Sequence, residues 1–136
     1  MQVLEKLFQD LSTFHDDFYT LDMVENLDGD EGVDLRATFV DTLQLSRTGY
    51  RLFEKLADKV FETPNFKVST CCDVSGHNYW SCFQEESNYL HVTVLLKKGS
   101  TEYTQEDLDK LYDIFNDISR EYDSIAYKHT LKKYRV

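Results

Sequence analysis

Leu4, Leu7, Phe8, Leu11, Phe14 and Phe18 recur three and four residues apart, the spacing that gathers apolar side chains onto one stripe of a helix. The pattern predicts an amphipathic helix from Val3 to Tyr19. A second run keeps the same period through Phe39, Leu43, Tyr50, Phe53, Leu56, Ala57, Val60 and Phe61 and predicts a longer helix from Leu35 to Glu62. Thr63 and Pro64 supply its stop, because the residue ahead of a proline avoids helical dihedrals. Gly49 falls in its middle and marks a kink or a close helix contact. Between the two helices Gly29 and Gly32 mark a turn-rich loop, and Asp34 or a neighbour is placed to cap the second helix.

From residue 66 the pattern switches to alternation. FKVSTCC (66–72), YWSCFQ (79–84) and YLHVTVLLK (89–97) are rich in aromatic and β-branched residues and are separated by turn-formers, which predicts three antiparallel strands in a meander. Phe66, Val68, Thr70, Cys72, Tyr79, Ser81, Phe83, Leu90, Val92, Val94 and Leu96 then share the face that covers the helices. The other face takes Lys67, Ser69, Cys71, Trp80, Cys82, Tyr89, His91 and Thr93 and is mixed in character. Thr104 and Asp107 form a capping-box-like start for a third helix carried by Leu108, Leu111, Tyr112, Phe115, Ile118, Tyr122 and Ile125. The basic end, KHTLKKYRV, fits a last helical turn, an edge strand or a loose tail. The expectation is one α+β domain over residues 1–136: two N-terminal helices, a three-stranded antiparallel meander and a C-terminal helix, the helices packed on one face of the sheet.

Composition suits a folded chain, since nine Phe, nine Tyr and one Trp offer ample surface to bury. No run approaches the roughly 18 apolar residues of a membrane span, and MQVLEKLFQDL lacks the basic-then-apolar order of a signal peptide. The expected location is the cytoplasm, or the host cytoplasm if the source is viral. Three cysteines, an odd number without an export signal, imply a reducing compartment and free thiols. A net charge of -10 argues against direct contact with nucleic acid or an anionic membrane and for a basic partner.

Several motifs touch on chemistry. DGDEGVD has the look of a calcium loop, but neither Gly29 nor Gly32 at loop position 6 leaves acids at positions 1 and 3. Cys71, Cys82 and His91 share a predicted sheet face, yet zinc wants a fourth ligand and a close Cys pair, so the reading is structural cysteines without a metal. His91 and Thr93 point the same way on one strand, which resembles one half of a two-histidine phosphoesterase site. The other half is missing: His129 is followed directly by a threonine, and His15 and His77 have no Ser or Thr two residues on. VSGHN and STCCD are not nucleophile elbows. The expectation is a protein that is not an enzyme and carries no cofactor.

Charge is the strongest signal. From Leu7 to Leu35 the chain holds nine acids (Asp10, Asp16, Asp17, Asp22, Glu25, Asp28, Asp30, Glu31 and Asp34) and no Lys or Arg. A second cluster, Glu106, Asp109, Asp113, Asp117 and Glu121, forms a stripe on the third helix opposite Leu108, Leu111, Phe115 and Ile118. Charged loops and helix faces are commonly just solvated. Like charges in one place repel, however, and destabilise the compact state, so an uncompensated cluster is more often tolerated where it is used. The candidate partner-binding residues are Asp16, Asp17, Asp22, Glu25, Asp28, Asp30, Glu31, Asp34, Asp113, Asp117 and Glu121. In size, charge and lack of catalytic motif the chain is similar to the small acidic inhibitors with which viruses block nucleic-acid-binding defence proteins, a similarity that covers no specific sequence pattern. It implies a nucleic-acid mimic that docks a negative surface on a basic protein site. The alternatives are a small phosphodiester-handling enzyme centred on His91 and Thr93, and a structural homodimer formed through the open sheet face.

Overall fold

The computed structural model describes residues 3–13, 19–25, 33–75 and 87–134. Its elements run α1 (Val3–Ser12), β1 (Tyr19–Glu25), β2 (Val33–Val40), α2 (Arg47–Leu56), β3 (Val60–Glu62), β4 (Phe66–Ser75), β5 (Ser87–Leu96) and α3 (Gln105–Tyr134). The five strands form one sheet in the order β1-β2-β5-β4-β3, and every neighbouring pair is antiparallel. One N-terminal helix and a five-stranded sheet therefore replace the expected two helices and three-stranded meander. The α+β class stands.

The physical reason lies in residues 19–62. Along β2, Leu35, Ala37 and Phe39 are buried while Arg36, Thr38 and Val40 are only half-buried, a period of two that suits a sheet with one covered face. Tyr19, Leu21 and Met23 pair with Phe39, Ala37 and Leu35 and extend that face onto β1. The apparent helical period over 35–62 came from residues of different elements: Phe39 lies in β2, Leu43 is an exposed turn residue, and Tyr50 and Phe53 belong to α2. The acidic segment 26–32 consequently joins two antiparallel strands, not two helices, and Tyr19 opens a strand instead of closing α1. Phe14 and Phe18 lie outside the described residues.

β4 pairs directly with β5, from Phe66 opposite Leu96 to Ser75 opposite Ser87, so no third strand stands between them. The segment expected to form it, 79–84, lies outside the described residues. The face assignments for β4 and β5 hold: Phe66, Val68, Thr70, Leu90, Val92 and Val94 are buried. Leu4, Leu7 and Leu11 of α1, Leu52 and Phe53 of α2, and Leu111, Phe115, Ile118 and Tyr122 of α3 join the same core. All three helices thus lie on one face, and among the described residues no helix covers the other. The basic end adopts the first of its three expected forms, with helix continuing to Tyr134. Among the described residues no helix is long and apolar enough to cross a membrane.

Two buried carboxylates set the ends of the helices. Asp107 takes its expected place in the cap, accepting a hydrogen bond from the Thr104 N–H at 2.8 Å, and also from the Thr63 hydroxyl, the Asn65 N–H and the Asn65 amide. It therefore ties the start of α3 to the β3–β4 turn. Asp41 does the same between β2 and α2, accepting from the Leu45 N–H at 3.0 Å, the Tyr122 hydroxyl at 2.6 Å and the Asn88 amide at 3.0 Å.

Candidate functional site

The candidate acids among the described residues do not share one face. Asp22 lies on the open face of β1, in register with Arg36, whereas Asp113, Asp117 and Glu121 are exposed on α3, across the sheet. Glu25 is exposed at the end of the edge strand β1. Asp34 is only 9% exposed and so presents little charge to a partner. Asp16, Asp17, Asp28, Asp30 and Glu31 lie outside the described residues. What remains continuous is the α3 stripe: Asp109, Asp113, Asp117 and Glu121, all exposed and four residues apart. Lys110 pairs with Glu106 at 3.6 Å, and among the described residues no ion pair engages the other four.

Asp117 and Glu121 also rim an open groove of about 370 Å³ floored by Leu56, Phe61 and Ile114, with Lys59 and Arg120 beside them. Phe61 and Val60 are exposed on the edge strand β3. Two carboxylates and two cations around an apolar floor make the groove electrically mixed, so its contribution to docking is apolar contact more than charge.

The open face has its own centre. Two adjacent rows across the sheet read Asp22, Arg36, Thr93, Ser69 and Thr20, Thr38, His91, Cys71. All eight positions are polar. His91 Nδ1 and Thr38 Oγ1 share a hydrogen bond of 3.1 Å, whose direction follows the imidazole tautomer, and Asp73 Oδ2 stands 3.8 Å from His91 Nε2. Burial lowers the His91 pKa from its usual 6.5 and the nearby Arg36 guanidinium lowers it further, against an opposing pull from Asp73. The ring is therefore neutral near pH 7. Arg36 Nε is buried with no hydrogen-bond partner.

No family model, curated protein or solved structure matches this chain.

Function has accordingly to be argued from geometry. Cys71 and His91 are cross-strand partners as the shared-face reading requires, but Cys82 lies outside the described residues, and among those described no three Cys, His, Asp or Glu side chains gather as metal ligands. Cys71 and Cys72 are free thiols; burial pushes the Cys72 thiol up from its ordinary pKa, with Cys71 and nearby carboxylates adding to the effect, so it is a poor nucleophile. Sequence reasoning missed Arg36 and Thr38 as neighbours of His91, and Asp22 as the cross-strand partner of Arg36, because it placed residues 35–62 on a helix and left Asp22 in a loop. Apolar and polar residues do alternate over LRATF (35–39), but the run is too short to outweigh the apparent helical period around it.

Proposed function

We propose that this chain is a non-enzymatic, cytoplasmic binding protein that docks the acidic face of α3 on a basic site of another macromolecule. The observation that carries this reading is the run Asp109, Asp113, Asp117 and Glu121, four exposed carboxylates without an ion pair among the described residues. Neighbours four apart stand about 6 Å apart along a helix axis. That is sparser than the phosphates of duplex DNA, which place one charge per ~1.7 Å. The stripe alone is thus a steering surface more than a copy of a duplex, and the groove beside Asp117 and Glu121 supplies the apolar contact from which stable complexes draw their affinity.

The test compares two variants with the same loss of charge. The partner is first captured from native extract at low salt and its affinity measured by calorimetry. Asp113→Asn/Asp117→Asn/Glu121→Gln is expected to weaken binding by about tenfold or more and to flatten its salt dependence. Glu5→Gln/Glu54→Gln/Glu102→Gln, exposed acids elsewhere, is expected to stay within about twofold. Equal losses in both would mean that bulk charge acts and not α3, and an unchanged α3 variant would end the proposal.

A further inference from the structure

β3 is an outer strand of the sheet, with β4 on one side and, among the described residues, no strand on the other. Its ladder fixes which backbone groups are left over. The Thr63 N–H donates to the Phe66 carbonyl at 2.9 Å and the Thr70 N–H to the Lys59 carbonyl at 3.0 Å, so Thr63 and Lys59 turn their backbone towards β4. Antiparallel pairs alternate, and Phe61, opposite Val68, does the same. Val60 and Glu62 between them turn their N–H and C=O groups outward, a short template for another strand. The edge is apolar as well, with Val60 60% and Phe61 36% exposed. Their side chains point to opposite faces. Phe61 goes with Val68 to the helix side, where it lines the groove beside α3, and Val60 goes with Ser69 to the other.

We propose that β3 pairs antiparallel with β3 of a second copy of this chain, about a two-fold axis at Phe61. Charge favours a second copy here over a basic partner. Lys59 and Arg120 border the groove together with Asp117 and Glu121; Glu62 lies opposite Lys67 and 3.9 Å from Lys97, and Asp58 precedes the strand. The cations and acids around this edge balance, in a protein of net charge -10. Two copies therefore repel over most of their surface and least here, where a patch of both signs is its own complement under a two-fold. The register follows from the outward backbone groups. Val60 of each copy exchanges N–H···O=C bonds with Glu62 of the other, and the two Phe61 rings meet on the groove side. Any slip by two residues would set Glu62 opposite Asp58, whose N–H already donates to the Thr70 carbonyl at 2.8 Å, or Val60 opposite Pro64, which has no N–H to give. The contact is short, so the dimer is weak, with a dissociation constant of about 10–500 µM.

Sedimentation velocity on the full chain is expected to show a monomer–dimer equilibrium that tightens at least about threefold between about 0.05 and 0.5 M sodium chloride, because salt screens the repulsion between two acidic copies. Docking of α3 on a basic partner weakens over the same range, so the sign of the salt effect tells the two surfaces apart. Hydrogen exchange should slow with protein concentration at the Val60 and Glu62 amides and stay constant at Phe61, which β4 already protects. Two substitutions at the exposed Val60 side chain test the register, compared at the higher salt where their change in net charge is screened. Val60→Glu sets like charges opposite one another and is expected to weaken the dimer about tenfold, while Val60→Lys faces Glu62 of the other copy and should leave it within about twofold or tighter. The proposal is overturned if the chain stays monomeric at about 1 mM in high salt, if Val60→Glu and Val60→Lys dimerise equally, or if the amides that respond to concentration lie away from β3, as a dimer through the open face would have them.

Discussion

Replacing Asp107 by Ala is expected to lower stability by about 4 kcal/mol and the melting temperature by roughly 15 °C. Asp107 is fully buried and answers five donors: the Thr63 hydroxyl at 2.6 Å, the Asn65 amide at 2.7 Å, the Asn65 N–H at 2.8 Å, the Thr104 N–H at 2.8 Å and the Thr104 hydroxyl at 3.1 Å. Removing the carboxylate strands the donors of a turn and a helix start together, which is why the loss exceeds that of an ordinary cap. The same geometry predicts an acid transition. Burial alone would raise the Asp107 pKa, but the hydrogen bonds from Thr63, Asn65 and Thr104 outweigh it and hold the value at about 2, against 3.8 for an ordinary aspartate. A depressed carboxylate contributes stability that is full above about pH 4 and is lost as pH falls towards 2, a contribution of about 2 kcal/mol. Thermal unfolding monitored between pH 2 and pH 5 should show this loss in the parent and not in Asp107→Asn. A melting temperature for Asp107→Ala within about 3 °C of the parent would remove Asp107 from this role.

Gly49→Ala is expected to destabilise by about 2–4 kcal/mol, although helix propensity alone favours Ala over Gly by up to ~1 kcal/mol. A Cβ at Gly49 would meet Asp41 Cγ at 2.7 Å, with Oδ2 nearer still, and Asn88 Nδ2 at 3.2 Å. These atoms have nowhere to go. Asp41 is held by Leu45, Tyr122 and Asn88, and Asn88 donates in turn to the Ser46 carbonyl at 2.9 Å. Burial together with the hydrogen bond to Asp41 pushes the Tyr122 pKa up to about 12, although the Leu43 N–H and the Thr42 side chain oppose it. The close contact expected at Gly49 is therefore real, but its neighbour is a carboxylate from the β2–α2 turn and not a second helix. Equilibrium denaturation of Gly49→Ala settles the sign: a gain in stability would show that Asp41 shifts freely and that the network is soft.

The two turns explain why part of the fold could be read and part could not. Thr104 and Asp107 are three residues apart, so their cap was legible from local spacing, as was the helix it starts. The other partners of Asp107 are not local: Thr63 lies 44 residues away and Asn65 42. Asp41 likewise meets Asn88 and Tyr122 from distances of 47 and 81 residues, and no pattern within a window announces such contacts. On the candidate surfaces the split is similar. The α3 stripe was visible as a period of four, while the open-face centre required β2 and β5 to be brought side by side.

The amino-acid order by itself determined the apolar stripe of α1, the two faces of β4 and β5, α3 with its acidic face and cap, and the negative charge of the whole, because each depends only on neighbours within a turn or a pleat. Tertiary structure alone decided that residues 33–40 are a strand, that Asp34 is buried, and that Arg36 stands beside His91 and Thr93. A strand of eight residues has too few alternations to outweigh apolar residues that happen to fall at helical spacing, and its conformation is chosen by the partner strands that bury one of its faces.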